Sequence, residues 1–116
     1  MTRRILVLVD EREARAAIVS ALAVHGHSCF VARDAGELVA SLALVQPDVV
    51  LYEWATRLES RLGLARRVRV AAAPRALLVA IVSHEPEPAG FREREGVDAY
   101  FTQPVRLQEL ARALQR

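Results

Sequence analysis

Short apolar runs alternate with longer stretches of mixed character along this chain. Ile5 to Val9 is continuously apolar, as a strand buried on both faces requires. Asp10 ends it and is placed to cap the next segment. Glu11 to Val24 sets Ala14, Ile18, Ala21 and Leu22 on one stripe and arginines on the other, which predicts an amphipathic helix stopped at Gly26. Ser28 to Ala32 reads as a second strand. Asp34 and Glu37 form a capping box for a helix through Leu38, Leu42 and Val45, ended by Pro47. Asp48 to Glu53 is a third, apolar strand. A third helix is predicted from about Leu58 to Ala71, with Leu62, Ala65 and Val68 inward, broken by Pro74. Leu77 to Val82 is a fourth strand. Pro86 and Pro88 delay and shorten the next helix to roughly Ala89–Glu95, before Gly96. Ala99 to Thr102 is a fifth strand. Pro104 suits the first turn of a last helix with the stripe Val105, Leu107, Leu110 and Leu114.

Five strands alternating with five helices over short connections predict an α/β fold, a parallel sheet covered on both faces through right-handed crossovers. The 116 residues fit a single domain, and no internal repeat or linker divides them. With 53% hydrophobic and 26% charged residues, the chain has the profile of a soluble globular protein. Cys29 is the lone cysteine, so no intrachain disulfide forms, and it reads as a small buried residue. No apolar stretch is long enough for a membrane span, and the N-terminus lacks a secretory pattern, so the expected location is cytoplasmic.

Net charge is +2, and all sixteen basic residues are arginine. Six of them lie between Arg57 and Arg75, with Glu59 as the sole acid among them. Such a stripe could dock an acidic partner or nucleic acid, or it could be the solvated face of a helix. No aromatic residues interleave and no nucleic-acid motif accompanies it, which favours the solvated face.

Four stretches in order resemble the receiver domain of two-component response regulators over nearly the whole chain. Ile5-Leu6-Val7-Leu8-Val9-Asp10-Glu11 resembles the first strand and its acidic tip. Pro47-Asp48-Val49-Val50-Leu51-Tyr52-Glu53 resembles the third strand and its phosphoacceptor. Leu77 to Ser83 resembles the fourth strand with its hydroxyl residue. Gly96 to Pro104 resembles the fifth strand and its lysine-proline end. The resemblance implies a single-domain, doubly wound (βα)5 flavodoxin-like sandwich with strand order 2-1-3-4-5. It also implies a chemistry: an aspartate that accepts a phosphoryl group, two acids that hold Mg²⁺, and a hydroxyl and a lysine that bind phosphoryl oxygens. A dianion placed among carboxylates needs a cation and donors.

Carried over residue by residue, that chemistry is incomplete. Val9 stands at the first acid position and Asp10 at the second. Glu53 stands at the phosphoacceptor, Ser83 at the hydroxyl and Gln103 at the lysine. Arg57 and Arg61 occupy loop places where the family usually has proline and glycine. Tyr100 matches the aromatic switch residue that moves with Ser83, and reads equally as a half-buried strand aromatic. Glutamate shifts the reacting oxygen by about a bond length, where in-line transfer tolerates errors below about 1 Å. Gln103 donates hydrogen bonds but brings no charge.

The expectation is a degenerate, non-enzymatic receiver that is not phosphorylated and acts through protein contacts. Two roles for Glu53 stay open: a mimic of phosphoaspartate, or a decayed site in which Glu53 pairs with an arginine such as Arg57. Asp10 and Glu53, with the Ala55 carbonyl, could hold Mg²⁺ weakly, and no cofactor is required. Two carboxylates about 5 Å apart repel by roughly 3 kcal/mol at an effective dielectric near 20. A functional acceptor at Glu53 with weak Mg²⁺ is the alternative. A binder of acidic partners or nucleic acid through the Arg57–Arg75 stripe is a further one, with nucleic acid disfavoured. The expected partner is a signalling protein or an output domain, which could follow residue 116, and a homodimer is possible. His25 and His27 read as exposed turn residues. His84 reads as a loop histidine or as a pH sensor beside Glu53.

Overall fold

The computed structural model describes residues 2–115. Its sheet has five parallel strands in the order β2-β1-β3-β4-β5: β1 (Arg4–Leu8), β2 (Ser28–Val31), β3 (Val49–Glu53), β4 (Leu78–Ser83) and β5 (Ala99–Thr102). Helices α1 (Arg12–Val24), α2 (Ala35–Val45), α3 (Leu64–Ala72), α4 (Phe91–Glu95) and α5 (Leu107–Ala113) follow the strands in turn. The predicted sandwich and its strand order are both present. Register runs Ile5 opposite Cys29 on one side and Val49 on the other, then Val49 opposite Leu78 and Ser83 opposite Thr102.

Strand side chains alternate between faces, so each apolar run feeds two cores. Leu6, Leu8, Val50, Tyr52 and Ile81 pack with Leu38, Leu64, Val68 and Phe91 under α2, α3 and α4. Ile5, Val7, Leu51 and Val82 pack with Ile18, Leu22, Leu110 and Leu114 under α1 and α5. β3 is central and every one of its residues is buried. The carboxyl ends of β1, β3, β4 and β5 form one rim, where open parallel sheets build their sites.

Several local expectations need correction. The cap of α1 is Glu11, not Asp10: its carboxylate accepts the N–H groups of Glu13 at 3.0 Å and Ala14 at 2.6 Å. Asp10 is engaged elsewhere. The predicted third helix is two pieces. Glu59–Arg61 forms a 3₁₀ turn, and α3 begins only after Gly63, whose φ is +70°. A helix cannot run through a left-handed residue. The break turns Leu62 outward, where it is 60% exposed, and buries Arg61. The last helix starts at Leu107, three residues after Pro104, with Arg106 in an extended conformation as its cap. Leu110 and Leu114 still face the core.

Asp34 caps α2 as predicted, accepting Glu37 N–H at 2.7 Å. Glu37 returns to Arg33 N–H rather than to the cap itself. The helix ends at Gln46, a left-handed cap with φ 49° whose N–H still donates to the Leu42 carbonyl, and Pro47 has no N–H to continue the ladder. Cys29 is half-buried. His27 is buried, against expectation. Its Nδ1 accepts Arg3 N–H at 3.1 Å, and its Nε2 faces the Ala111 carbonyl at 3.4 Å, which places the ring proton on Nε2. The ring thereby joins the start of β1 to α5.

Candidate functional site

The strand tips bring the predicted residues together in two groups. The first is Asp10 and Glu53, at the tips of β1 and β3. Glu53 is buried, and its Oε1 accepts the Asp10 N–H at 2.9 Å. Its longer arm folds back onto the end of β1 instead of pointing into the rim. Between the acids lies a residue that no reading of the sequence places there. Arg61 is 3% exposed. Its Nη2 donates to Asp10 Oδ1 at 2.7 Å, and its Nη1 donates to the Glu53 backbone carbonyl.

Arginine stays charged at any working pH and offers a planar fork of donors. Here the fork bridges two strand tips from the 3₁₀ turn. Its Nε is buried with no hydrogen-bond partner among the described residues, a cost of about 1–3 kcal/mol for such a group. The pair with Asp10 offsets that cost. Arg57, the arginine expected beside Glu53, is exposed and interacts electrostatically with Glu85. Val9 is buried in the α1–α5 core and has no side-chain oxygen. The Ala55 carbonyl, a candidate metal oxygen, accepts Leu58 N–H at 2.9 Å.

The second group is centred on Glu85, which the sequence does not single out. Its N–H donates to the Oγ of fully buried Ser83 at 3.0 Å. Its carbonyl accepts the Tyr100 hydroxyl at 2.7 Å. Its carboxylate takes two bonds from Thr56, from N–H at 2.8 Å and from Oγ1 at 2.6 Å. The Thr56 hydroxyl and N–H hold the Glu85 carboxyl below the usual carboxylate range. One residue thus ties the loop after β3 to the hydroxyl of β4 and the tyrosine of β5. Burial pushes the Tyr100 phenol up.

Tyr100 is turned inward. Its ring meets Phe91 edge-on at 5.3 Å, and Phe91 meets Trp54 at 4.7 Å. The three rings join β5, α4 and the residue after β3. Gln103 is half-buried and donates its backbone N–H to the Ser83 carbonyl at 2.6 Å. His84 is exposed at the start of the loop after β4.

The expected arginine stripe is not one surface. Arg61 is inside the site. Arg66 donates to the carbonyls of Glu93 and Arg94 at the end of α4. Arg69 binds Asp98 at 2.7 Å and the carbonyls of Gly96 and Leu77. Arg75 approaches Asp48 at 3.8 Å. Arg57 and Arg67 remain exposed. Among the described residues, no helix is long and apolar enough to cross a membrane.

No family model matches the chain, and no curated protein matches it. Solved structures do. The chain superposes along its full length on NtrX from Brucella abortus, solved in complex with ADP, with a TM-score of 0.83 and 24% identity, and spans 26% of that protein. It matches the pseudo-receiver domain of CikA with a TM-score of 0.73 and 27% identity, covering 97% of this chain and 94% of that one. It also matches the receiver domain of the sensor histidine kinase PA1611 from Pseudomonas aeruginosa, solved with magnesium coordinated in the active site cleft. There the TM-score is 0.81 and the identity 22%, covering 100% of this chain and 97% of that one. The fold is that of response regulator receiver domains.

Proposed function

We propose that this chain is a receiver module of two-component signalling that has replaced phosphorylation with a built-in cation and works through protein contacts. The single observation that carries this is Arg61, whose guanidinium lies 2.7 Å from Asp10 and donates to the Glu53 carbonyl. The likeness to the CikA pseudo-receiver domain supports it.

Magnesium does not fit these residues. Asp10 is already paired, Val9 offers no donor, and Glu53 is bonded to Asp10 N–H. A divalent ion about 4 Å from a guanidinium would meet a repulsion of about 8 kcal/mol at an effective dielectric near 20. Phosphoryl transfer to Glu53 fails for related reasons. The carboxylate is turned toward β1, and no ammonium group stands at Gln103 to meet the incoming charge. Glu53 is no phosphoaspartate mimic either, because its carboxylate is turned onto the Asp10 N–H and makes no hydrogen bond to Ser83 among the described residues. The module has no catalytic role of its own. It is held in one arrangement, with Tyr100 inward on Glu85.

Incubation with acetyl phosphate and Mg²⁺, followed by intact mass, tests this. The wild-type chain remains unmodified, whereas a variant combining Glu53→Asp, Arg61→Ala and Gln103→Lys gains a phosphoryl group. A phosphorylated wild-type species sinks the reading.

A further inference from the structure

Helices α2 and α3 leave a groove between them. At one end Val39 of α2 faces Arg66, Arg67, Val70 and Ala71 of α3 across a hollow of about 410 Å³ with almost wholly apolar walls. The groove continues past Ala71 to Pro74 and Arg75, with a further hollow of about 260 Å³. Val70, on the wall of the first hollow, is 79% exposed. With half-buried Val39 opposite and Ala71 beside it, it gives the hollow an apolar floor open to solvent.

Charge around the first hollow has one sign. Arg67 is exposed and makes no ion pair among the described residues. Arg66 donates to backbone carbonyls, so its charge is not neutralised by a carboxylate. Arg75, at the far end, is paired with Asp48 at 3.8 Å, so the unmatched charge sits on Arg66 and Arg67. A second copy docking about a two-fold axis would set arginines against arginines.

We propose that this groove receives an amphipathic helix of a partner protein, its apolar stripe flanked by Asp and Glu. Such a helix lays residues at i, i+3, i+4 and i+7 into an apolar groove, here along Val39, Val70 and Ala71. Its acids meet Arg66 and Arg67. The surface lies away from the strand tips and does not depend on how Glu53 and Arg61 behave.

The probe is a fluorescein-labelled peptide of about four helical turns, with leucines on one stripe and glutamates beside it. A second peptide carries lysines in place of the glutamates. Fluorescence anisotropy is expected to show the acidic peptide binding at least about tenfold more tightly, with the difference shrinking in high salt. Val70→Asp abolishes binding, and Arg67→Glu weakens the acidic peptide while strengthening the basic one. Both positions are exposed, and circular dichroism checks that the fold is kept. Equal affinity for the two peptides, no binding, or indifference to Val70→Asp overturns the proposal. So does self-association in sedimentation that Val70→Asp removes, which would assign the groove to a second copy.

Discussion

Arg61 and Asp10, separated by 51 positions in the chain, meet at 2.7 Å across the tips of the sheet. Their side chains differ in exposure, 4% for the arginine and 35% for the aspartate. The cation is therefore fixed in the protein, and the anion is reachable from solvent.

Removing that cation has two expected effects. Arg61→Ala leaves Asp10 without its ion-pair partner and the Glu53 carbonyl without its donor, and costs about 2–3 kcal/mol, below the range for a fully buried pair because Asp10 is partly solvated. It also opens the space to a metal. Millimolar MgCl₂ should then raise the thermal midpoint of Arg61→Ala through mass action and leave that of the wild type unmoved. An equal Mg²⁺ response in both proteins would contradict the placement of Arg61.

Gly63 holds the break that delivers Arg61 to the site. A Cβ at Gly63 would touch nothing within 4 Å, so the glycine is required by its φ of +70° alone. Gly63→Ala should cost about 1–2 kcal/mol in chemical denaturation, and Gly63→Asn less, since asparagine tolerates the left-handed region. Identical losses for the two variants would point to a steric cause instead.

His27 makes stability fall in acid. Burial lowers its pKa from 6.5, and the nearby Arg3 and His25 push the same way against the Ala111 carbonyl. The unfolded chain takes up a proton near pH 6.5, while the folded ring resists it until a lower pH. The contribution is whole above about 6.5 and drains away as pH falls toward the folded value, with a slope of at most about 1.4 kcal/mol per pH unit. Denaturation between about pH 7.5 and about pH 5, the span in which histidine titrates, should show the slope in the wild type and a flatter one in His27→Gln.

Glu85 titrates low because Thr56 bonds its carboxylate twice. In Thr56→Val the hydroxyl bond is lost, and the side-chain carbon resonance of Glu85 should titrate at higher pH than in the wild type. The Tyr100 hydroxyl proton, bonded to the carbonyl of the same residue, should exchange faster in the same variant. No change in either signal would show that the bridge does not hold in solution.

The strands and the two cores are legible from runs of apolar residues, because a parallel sheet covered on both faces writes itself as continuous hydrophobicity. The strand-tip residues follow from the resemblance, and Asp10, Glu53, Ser83 and Gln103 all stand on the rim. Arg61 stands out in the sequence as a departure but is not placed by it, because helical spacing through Gly63 turns Leu62 inward in its stead. Reading Gly63 as a left-handed start to α3 would have found it. Glu85 carries no signal, since its bonds reach residues 29 positions back and 15 ahead. The burial of His27 likewise depends on α5, 84 positions away. The arginine stripe dissolves because carbonyls at the end of α4, invisible in composition, take up Arg66.

β3 is clamped by a neighbour along each edge and covered above and below. Its last residue projects from a backbone whose every rung is already secured. Such a strand works as a chassis: the fittings bolted to its end can be exchanged without loosening the frame. An aspartate, a glutamate or a neutral amide could each be mounted there and the domain would still assemble, which leaves the rim open to redesign as an ion trap, a reporter site or an inert scaffold.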